Sequence, residues 1–320
     1  MRSVVWAEPR NITSISDCYF YHTMDIPNHG TVRGEWDLRG REASYLGNIS
    51  LQGKRVLEVG TASGHLCFFM ERMGAEVVAY DASDEQEWDT VPYAGYDYGK
   101  RIAQTKEQIR RMNNGFWFAH RAYKSRAKAT YGTVYEIPDD IGQFDICTFG
   151  SILLHLRDPF LALQRGSAHA TETVVVTDVA SPLTAGKTSA SRRLVEFLPN
   201  ADKCFPTESW WNLSPELVTE FLRILGFVHT RISYHVQLFC GHEQIPGKQE
   251  VRSYTVVGHR KGATAVQRGG RGEESDSALP GENDISVDEA TLRSIRFSTI
   301  AKHLLRRGVR AIPKRLLARR

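Results

Sequence analysis

The sequence predicts a Rossmann-like doubly wound α/β sheet closed by an antiparallel hairpin. Three observations lead there. From Gly53 onward, apolar strand-like runs alternate with stretches at helical spacing, the pattern of βαβ units around a parallel sheet covered on both faces. The first run breaks into a turn of small residues, Gly60-Thr61-Ala62-Ser63-Gly64, before helical spacing resumes. The last two runs are joined by a short loop without helical pattern, so they read as an antiparallel pair.

In chain order, RVLEV (55–59) is the first strand and a helix runs from about Gly64 to Met73. AEVVAYD (75–81) is the second strand, followed by a helical stretch through KRIAQTKEQIRRMN. AKATYG (127–132) is a short third strand, FDICTFG (144–150) the fourth and TVVVTDV (173–179) the fifth, with a helix near 158–169 between the last two. In SPELVTEFLRILGF, Ser214 suits an N-cap, Pro215 the first helical position and Gly226 the stop. TRISYHVQLF (230–239) and VRSYTVVGHR (251–260) form the closing pair. Residues 1–52 precede the sheet as an arm, 53–261 form the main domain, 262–285 a linker and 286–320 a basic tail.

Composition excludes several classes. The chain has 320 residues, 24% of them charged, and no apolar run near the ~18 residues of a membrane span. Its opening residues lack the apolar core of a secretory signal, and its five cysteines are odd in number with no C-x-x-C pair. These features predict a cytoplasmic protein with reduced thiols and no structural zinc. No His/Asp/Glu grouping has metal-ligand spacing either.

The small-residue turn should hold the ligand, because ligands of open α/β sheets sit beyond the carboxyl ends of the strands where the strand order reverses. A dinucleotide fingerprint starting at Gly60 would need glycine where Ala62 and His65 stand. A P-loop would need Lys and Ser/Thr after Gly64, which is followed by His65 and Leu66. What remains is an acid and three small residues at alternating positions: Glu58, Gly60, Ala62 and Gly64. S-adenosylmethionine (SAM) carries no phosphate, so its loop needs close backbone, through Thr61 among others, and a carboxylate near the sulfonium and ammonium charges. Asp81 ends the second strand about 20 residues on, the spacing of an acid that accepts from ribose hydroxyls. The alternative is that the glycines only allow tight packing and Asp81 caps the next segment.

With the loop, the acid and the strand order together, residues 15–261 resemble the class I SAM-dependent methyltransferases, with Ala62 in place of the middle glycine of ExGxGxG. The resemblance extends the expected cofactor site to Ala82, to Thr133 and Val134 after the third strand, and to Gly150 and Ser151 after the fourth. In the family an acid usually stands where this chain has Thr133, so the adenine would be met either by the Thr133 hydroxyl or by backbone. FGSILLHLRDP (149–159) and WWNLSPELVTEFLRILGF (210–227) are similar to the tRNA wobble-uridine carboxymethyltransferase branch, as is the tryptophan in GEWDLRG (34–40). That branch has a tyrosine where this chain has Leu154, which argues for plain SAM and a different acceptor.

On the acceptor side, the arm segment DCYFYHTMDIPNHGTVRGEWDLRG (17–40) shows no sustained helical or strand period. It either shapes the acceptor pocket, with Trp36, Asp37 and Arg39 in it, or covers the sheet. Trp88 and Tyr93, in a second aromatic cluster directly after Asp81, either wall the adenine pocket or lie in an ordinary surface loop; Trp210 and Trp211, in a third, sit on the side where acceptors enter. Aromatic walls suit a sugar, an aromatic ring or a nucleobase. Methyl transfer needs alignment, and a base only if the nucleophile must lose a proton. His155, just past the fourth strand and with an ordinary pKa near ~6.5, is the best-placed base, against the reading that it is a packed core histidine. His22 and His29 are further candidates.

The tail, with Leu305, Val309, Ile312 and Leu316 at helical spacing and no acid after Glu289, could dock on the core, lie on an anionic membrane surface or contact RNA, in that order. The expected function is methyl transfer from SAM to an oxygen or nitrogen of a small molecule or glycan intermediate. The alternatives are a tRNA-modifying methyltransferase and a SAM-binding protein without transferase activity.

Overall fold

The computed structural model describes residues 3–86, 88–181, 192–241 and 248–262. The expectations for the linker and the tail fall outside the described residues. Residues 1–261 group as one compact unit, so the arm and the sheet domain belong to the same body.

The arm contributes three short strands, β1 (Met24–Ile26), β2 (Gly30–Val32) and β3 (Trp36–Asp37), and a one-turn helix, α1 (Glu42–Tyr45). The sheet domain then runs β4 (Arg55–Val59), α2 (His65–Arg72), β5 (Glu76–Asp81), α3 (Tyr98–Tyr123), β6 (Lys128–Tyr131), β7 (Phe144–Gly150), α4 (Pro159–Ser167) and β8 (Ala170–Val179). It closes with β9 (Val195–Phe197), β10 (Trp211–Leu213), α5 (Pro215–Ile224), β11 (His229–Phe239) and β12 (Gln249–His259). The eight-stranded sheet has the order β3-β11-β12-β8-β7-β4-β5-β6. Strands β6, β5, β4, β7 and β8 are parallel, and β12, β11 and β3 are added antiparallel. This is the expected Rossmann-like, class I methyltransferase arrangement. The chain winds outward from β4 through β5 to β6 and returns to β7 on the other side of β4, so the order reverses at the C-terminal end of β4.

Strand alternation divides the core in two. Val56, Val77, Ala79, Ile146, Val175 and Val257 face one layer with α2, α3 and the arm. Leu57, Val59, Val78, Tyr80, Cys147, Phe149, Val176 and Val256 face the other, with α4 and α5. Both faces being covered explains why these strands read as continuous apolar runs rather than alternating ones. The end of the core was legible in detail: Ser214 Oγ accepts from Leu217 N at 3.1 Å, Pro215 opens α5, and Gly226 follows at φ +93°.

Two expectations need correction. The helix expected through residue 113 continues to Tyr123, because Phe116, Trp117, Phe118 and Ala119 keep burying its inner face. The arm, read as lacking strand period, forms a β1–β2 hairpin, and β3 adds to the edge of β11. Its Cys18, Phe20, Met24 and Ile26 lie in the α3-side core, so it is built into that layer. Strands of two or three residues are too short to show a period of two.

Candidate functional site at the strand reversal

The turn after β4 is shaped by backbone constraints. Gly60 has φ +87° and Gly64 φ +88°; a Cβ on Gly60 would lie 2.3 Å from Ile152 Cγ2, and one on Gly64 2.6 Å from Phe68 Cε2. Ala62, between them, also adopts a left-handed conformation at φ +50°, where a Cβ is strained. Asp81 holds it there. One carboxylate oxygen accepts from Ala62 N at 2.5 Å and the other from Ala82 N at 2.6 Å, so the acid ending β5 ties the turn to its neighbouring strand. Burial raises the Asp81 pKa to about 6 against the opposing pull of these two N–H donors.

Glu58 is buried and accepts from Thr61 Oγ1 at 2.6 Å. Burial lifts its carboxyl to about 8; the Thr61 bond opposes that and the charge of Asp81 adds to it. A small cavity of about 10 Å³, lined by Glu58, Gly60, Gly150, Tyr45 and His22 among others, lies beside it. The arm reaches this turn directly: Tyr21 N donates to Ser63 Oγ at 3.2 Å. His22 is buried, and burial together with the neighbouring His65 lowers its pKa to about 3. His29 sits farther out against Phe118, with ring centroids 4.7 Å apart.

The other expected cofactor residues converge on the same edge of the sheet. Thr133 and Val134 lie just beyond β6, and Gly150 and Ser151 at the end of β7, next to β4. Thr133 Oγ1 caps its own 3-10 turn by accepting from Tyr135 N at 3.4 Å, while its carbonyl accepts from Tyr80 OH at 2.9 Å. Ser151 Oγ and Tyr45 OH are 2.9 Å apart, and Ser151 N donates to Thr177 O at 2.7 Å.

His155 closes a 3-10 turn (Leu153–His155) beyond β7. Its Nδ1 lies 2.5 Å from the carbonyl oxygen of Glu208 and 3.2 Å from Ser209 Oγ. A carbonyl only accepts, so Nδ1 carries the proton and Nε2 is the basic nitrogen. Burial lowers its pKa below the ordinary value, against the opposing Glu208 carbonyl and the charges of Glu208 and Glu35. The imidazole is therefore neutral at pH 7 and not half titrated. Trp210 and Trp211 brace this turn: Trp210 N donates to Leu154 O at 2.8 Å and Trp211 Nε1 to Leu156 O at 3.1 Å. Tyr93 packs beneath them with Val91 and Trp210, its hydroxyl donating to Pro206 O at 2.8 Å.

Trp36 and Arg39 separate. Trp36 stacks edge-on against Phe239, centroids 5.0 Å apart, and hydrogen-bonds with the Tyr21 side chain. Arg39 is engaged by Asp37 at 2.8 Å and Asp25 at 2.6 Å, and Lys248 also pairs with Asp37, so Arg39 closes the base of the arm.

Sequence reasoning passed over Asp178, Tyr21 and Tyr45. Asp178 is buried near the end of β8, where it accepts from Val179 N at 2.7 Å and from the backbone of Leu154. Burial raises its pKa to about 7. Its signal was available: an acid near the end of an apolar strand, as Asp81 is in β5. The two tyrosines carried none, because only the arm's path brings them beside the sheet.

No protein-family model and no curated protein matches the sequence. Among solved structures, the chain is similar to the N-terminal domain of EvdMO1 in the presence of SAH and D-fucose, with 14% identity, 75% of this chain and 90% of that chain covered, and a TM-score of 0.44. It is also similar to magnesium protoporphyrin IX methyltransferase (ChlM) from Synechocystis PCC 6803 with bound SAH, with 15% identity, 69% and 80% covered, and a TM-score of 0.38.

Proposed function

We propose that this protein is a SAM-dependent methyltransferase acting on an oxygen or nitrogen of a small molecule or glycan intermediate. The observation that carries the reading is the pair of carboxylates, Glu58 and Asp81, at a left-handed turn placed at the strand reversal. The residues present fit SAM. Residues 58–65, 81–83, 132–135 and 148–152 include no lysine or arginine, so nothing there neutralises a phosphate, whereas the Asp81 carboxylate, and Glu58 once a nearby positive charge draws off its proton, suit a ligand with positive charge. Asp81 would hold the ribose with the lone pairs its two backbone bonds leave over, Glu58 would face the cationic end, and the backbone of Gly60 to Gly64 would lie along the ligand. When bound, SAM supplies a methyl group already activated on a sulfonium.

The chain's own task is then alignment and, for a hydroxyl, proton removal. His155 keeps one proton on Nδ1 for the Glu208 carbonyl and offers Nε2 as acceptor. Asp178 holds the backbone of Leu154, and so fixes the turn on which His155 sits.

The test is calorimetry with SAM and its demethylated product. Asp81→Ala should weaken both by about 1.5–3 kcal/mol, the loss of a charge-assisted contact. Asp81→Asn should lose less, because an amide oxygen still accepts from one backbone N–H. Unchanged affinity in both variants would remove Asp81 from the site.

A further inference from the structure

A second cavity, of about 280 Å³, opens between the β5–α3 connection and the first turns of α3; its lining includes Trp88, Tyr98, Ile102, Thr105, Lys106 and Arg157. None of the residues assigned above to SAM lines it. Trp88, Tyr98 and Ile102 are half-buried and give it an apolar, largely aromatic wall suited to the face of a planar ring. Two cations, Lys106 and Arg157, give it a positive side.

Among the described residues those cations are uncommitted to carboxylates. Among the described residues neither takes part in an ion pair; Lys106 Nζ donates to a carbonyl, Glu85 O, at 3.3 Å. Two of the nearby acids are occupied elsewhere. Glu208 pairs with Arg101 at 2.5 Å, and Asp89 accepts from Tyr135 OH and, at 2.7 Å, from the backbone N of Arg157. That last bond fixes the Arg157 backbone, and the guanidinium lies 5.3 Å from the ring centroid of Trp210. A planar cation held over an aromatic ring, with its N–H edge available, is the arrangement that recognises a phosphate. Arg157 is also two residues beyond His155 in the same braced segment. The cavity and His155 thus share one braced segment.

We propose that this cavity holds a nucleotide-type handle of the acceptor, its base against Trp88 and Tyr98 and its phosphate on Arg157 and Lys106. The volume lies just below the ~300–1,000 Å³ of ordinary small-molecule sites, which suits one base with its phosphate. The assignment to the acceptor rests on the methyltransferase reading; the binding itself does not.

The experiment titrates the full chain, with and without saturating SAM, with uridine 5′-diphosphate, adenosine 5′-diphosphate, uridine, inorganic pyrophosphate and benzoate, followed by calorimetry and tryptophan fluorescence. The two nucleotides should bind saturably and without competing with SAM, while uridine, pyrophosphate and benzoate bind at least about tenfold more weakly. Arg157→Gln and Lys106→Gln, both on solvent-accessible side chains, should each weaken nucleotide binding about tenfold and leave SAM binding unchanged. Four results overturn the proposal: no nucleotide binding while SAM still binds, binding indifferent to both substitutions, displacement of nucleotide by SAM, or benzoate or pyrophosphate binding as tightly as the nucleotides. Failure to bind SAM would instead strike the methyltransferase reading, with the nucleotide titration still deciding the cavity.

Discussion

Gly60 and Ala62 both have positive φ, yet they should respond oppositely to substitution. Gly60→Ala adds a Cβ 2.3 Å from Ile152 and strains a φ of +87°, which should cost about 2 kcal/mol or more. Ala62→Gly relieves about 1–2 kcal/mol of left-handed strain but costs about 0.5–1 kcal/mol in chain entropy, so stability should stay level or rise by up to about 1.5 kcal/mol. Melting curves of the two variants decide this; a large loss in Ala62→Gly would mean that the methyl group itself is packed. At His155 the sign follows from its lowered pKa. As the proposed base His155 works in its neutral form, so activity should fall only as pH drops below ~6.5 and stay level above it. His155→Ala should lower turnover about 100-fold with SAM binding retained. A variant that loses SAM affinity and melts early, with activity in proportion to folded protein, would make the histidine structural. The small residues of the turn and the acids on β4 and β5 were legible because spacing alone specifies them. The Nδ1 proton was not, because it depends on a carbonyl 53 residues away.

At the scale of elements, the arm carries the clearest test. Gly34 passes so close to the arm's own return that a Cβ would lie 2.3 Å from the carbonyl carbon of His22. Gly34→Ala should force the β3 segment away from residues 21–23, where Thr23 N donates to Trp36 O at 2.7 Å, at a cost of about 1–3 kcal/mol. Hydrogen exchange should then quicken across residues 19–37 while β12 stays protected. SAM affinity should fall as well, since Tyr21 N is tied to Ser63 of the turn. Uniform quickening in β12 and the arm would show that the arm unfolds only with the whole domain. The helices and long strands could be read in advance because each spans several periods and α5 carries its own caps. The arm could not, since its three strands are defined by partners in α3 and β11 and not by their own pattern.

For the whole molecule, buried ionisable groups set a pH dependence. Glu58 and Asp178 titrate at about 8 and 7 in the folded chain against ordinary values of 4.5 and 3.8, so the folded state holds protons that the unfolded chain has released. Their contribution is greatest below the ordinary values and is lost as pH rises through the folded ones. His22, His155, His235 and His259, all lowered, act in the opposite sense, but only below ~6.5, above which they are neutral in both states. Between pH 6.5 and 8 the ligand-free protein should therefore lose stability, with a slope of up to about 1.4 kcal/mol per pH unit for each proton. Glu58→Gln should remove the decline above pH 7. Urea unfolding at a series of pH values measures both, and a level profile in the unsubstituted chain would show that neither carboxyl keeps its proton.

The sequence by itself determined the alternation of strands and helices, the small-residue turn and the acids at either side of it, because periodicity, backbone conformation and charge are local properties that neighbours in the chain express. The tertiary structure decided what those features meet. It placed the arm in the core, engaged Arg39 with two aspartates, put Trp210 and Trp211 behind the His155 turn and brought Asp178 to its backbone. Apart from the local Arg39–Asp37 pair, these join residues well separated in the chain, and their pairing depends on which edges of the sheet the chain closes against.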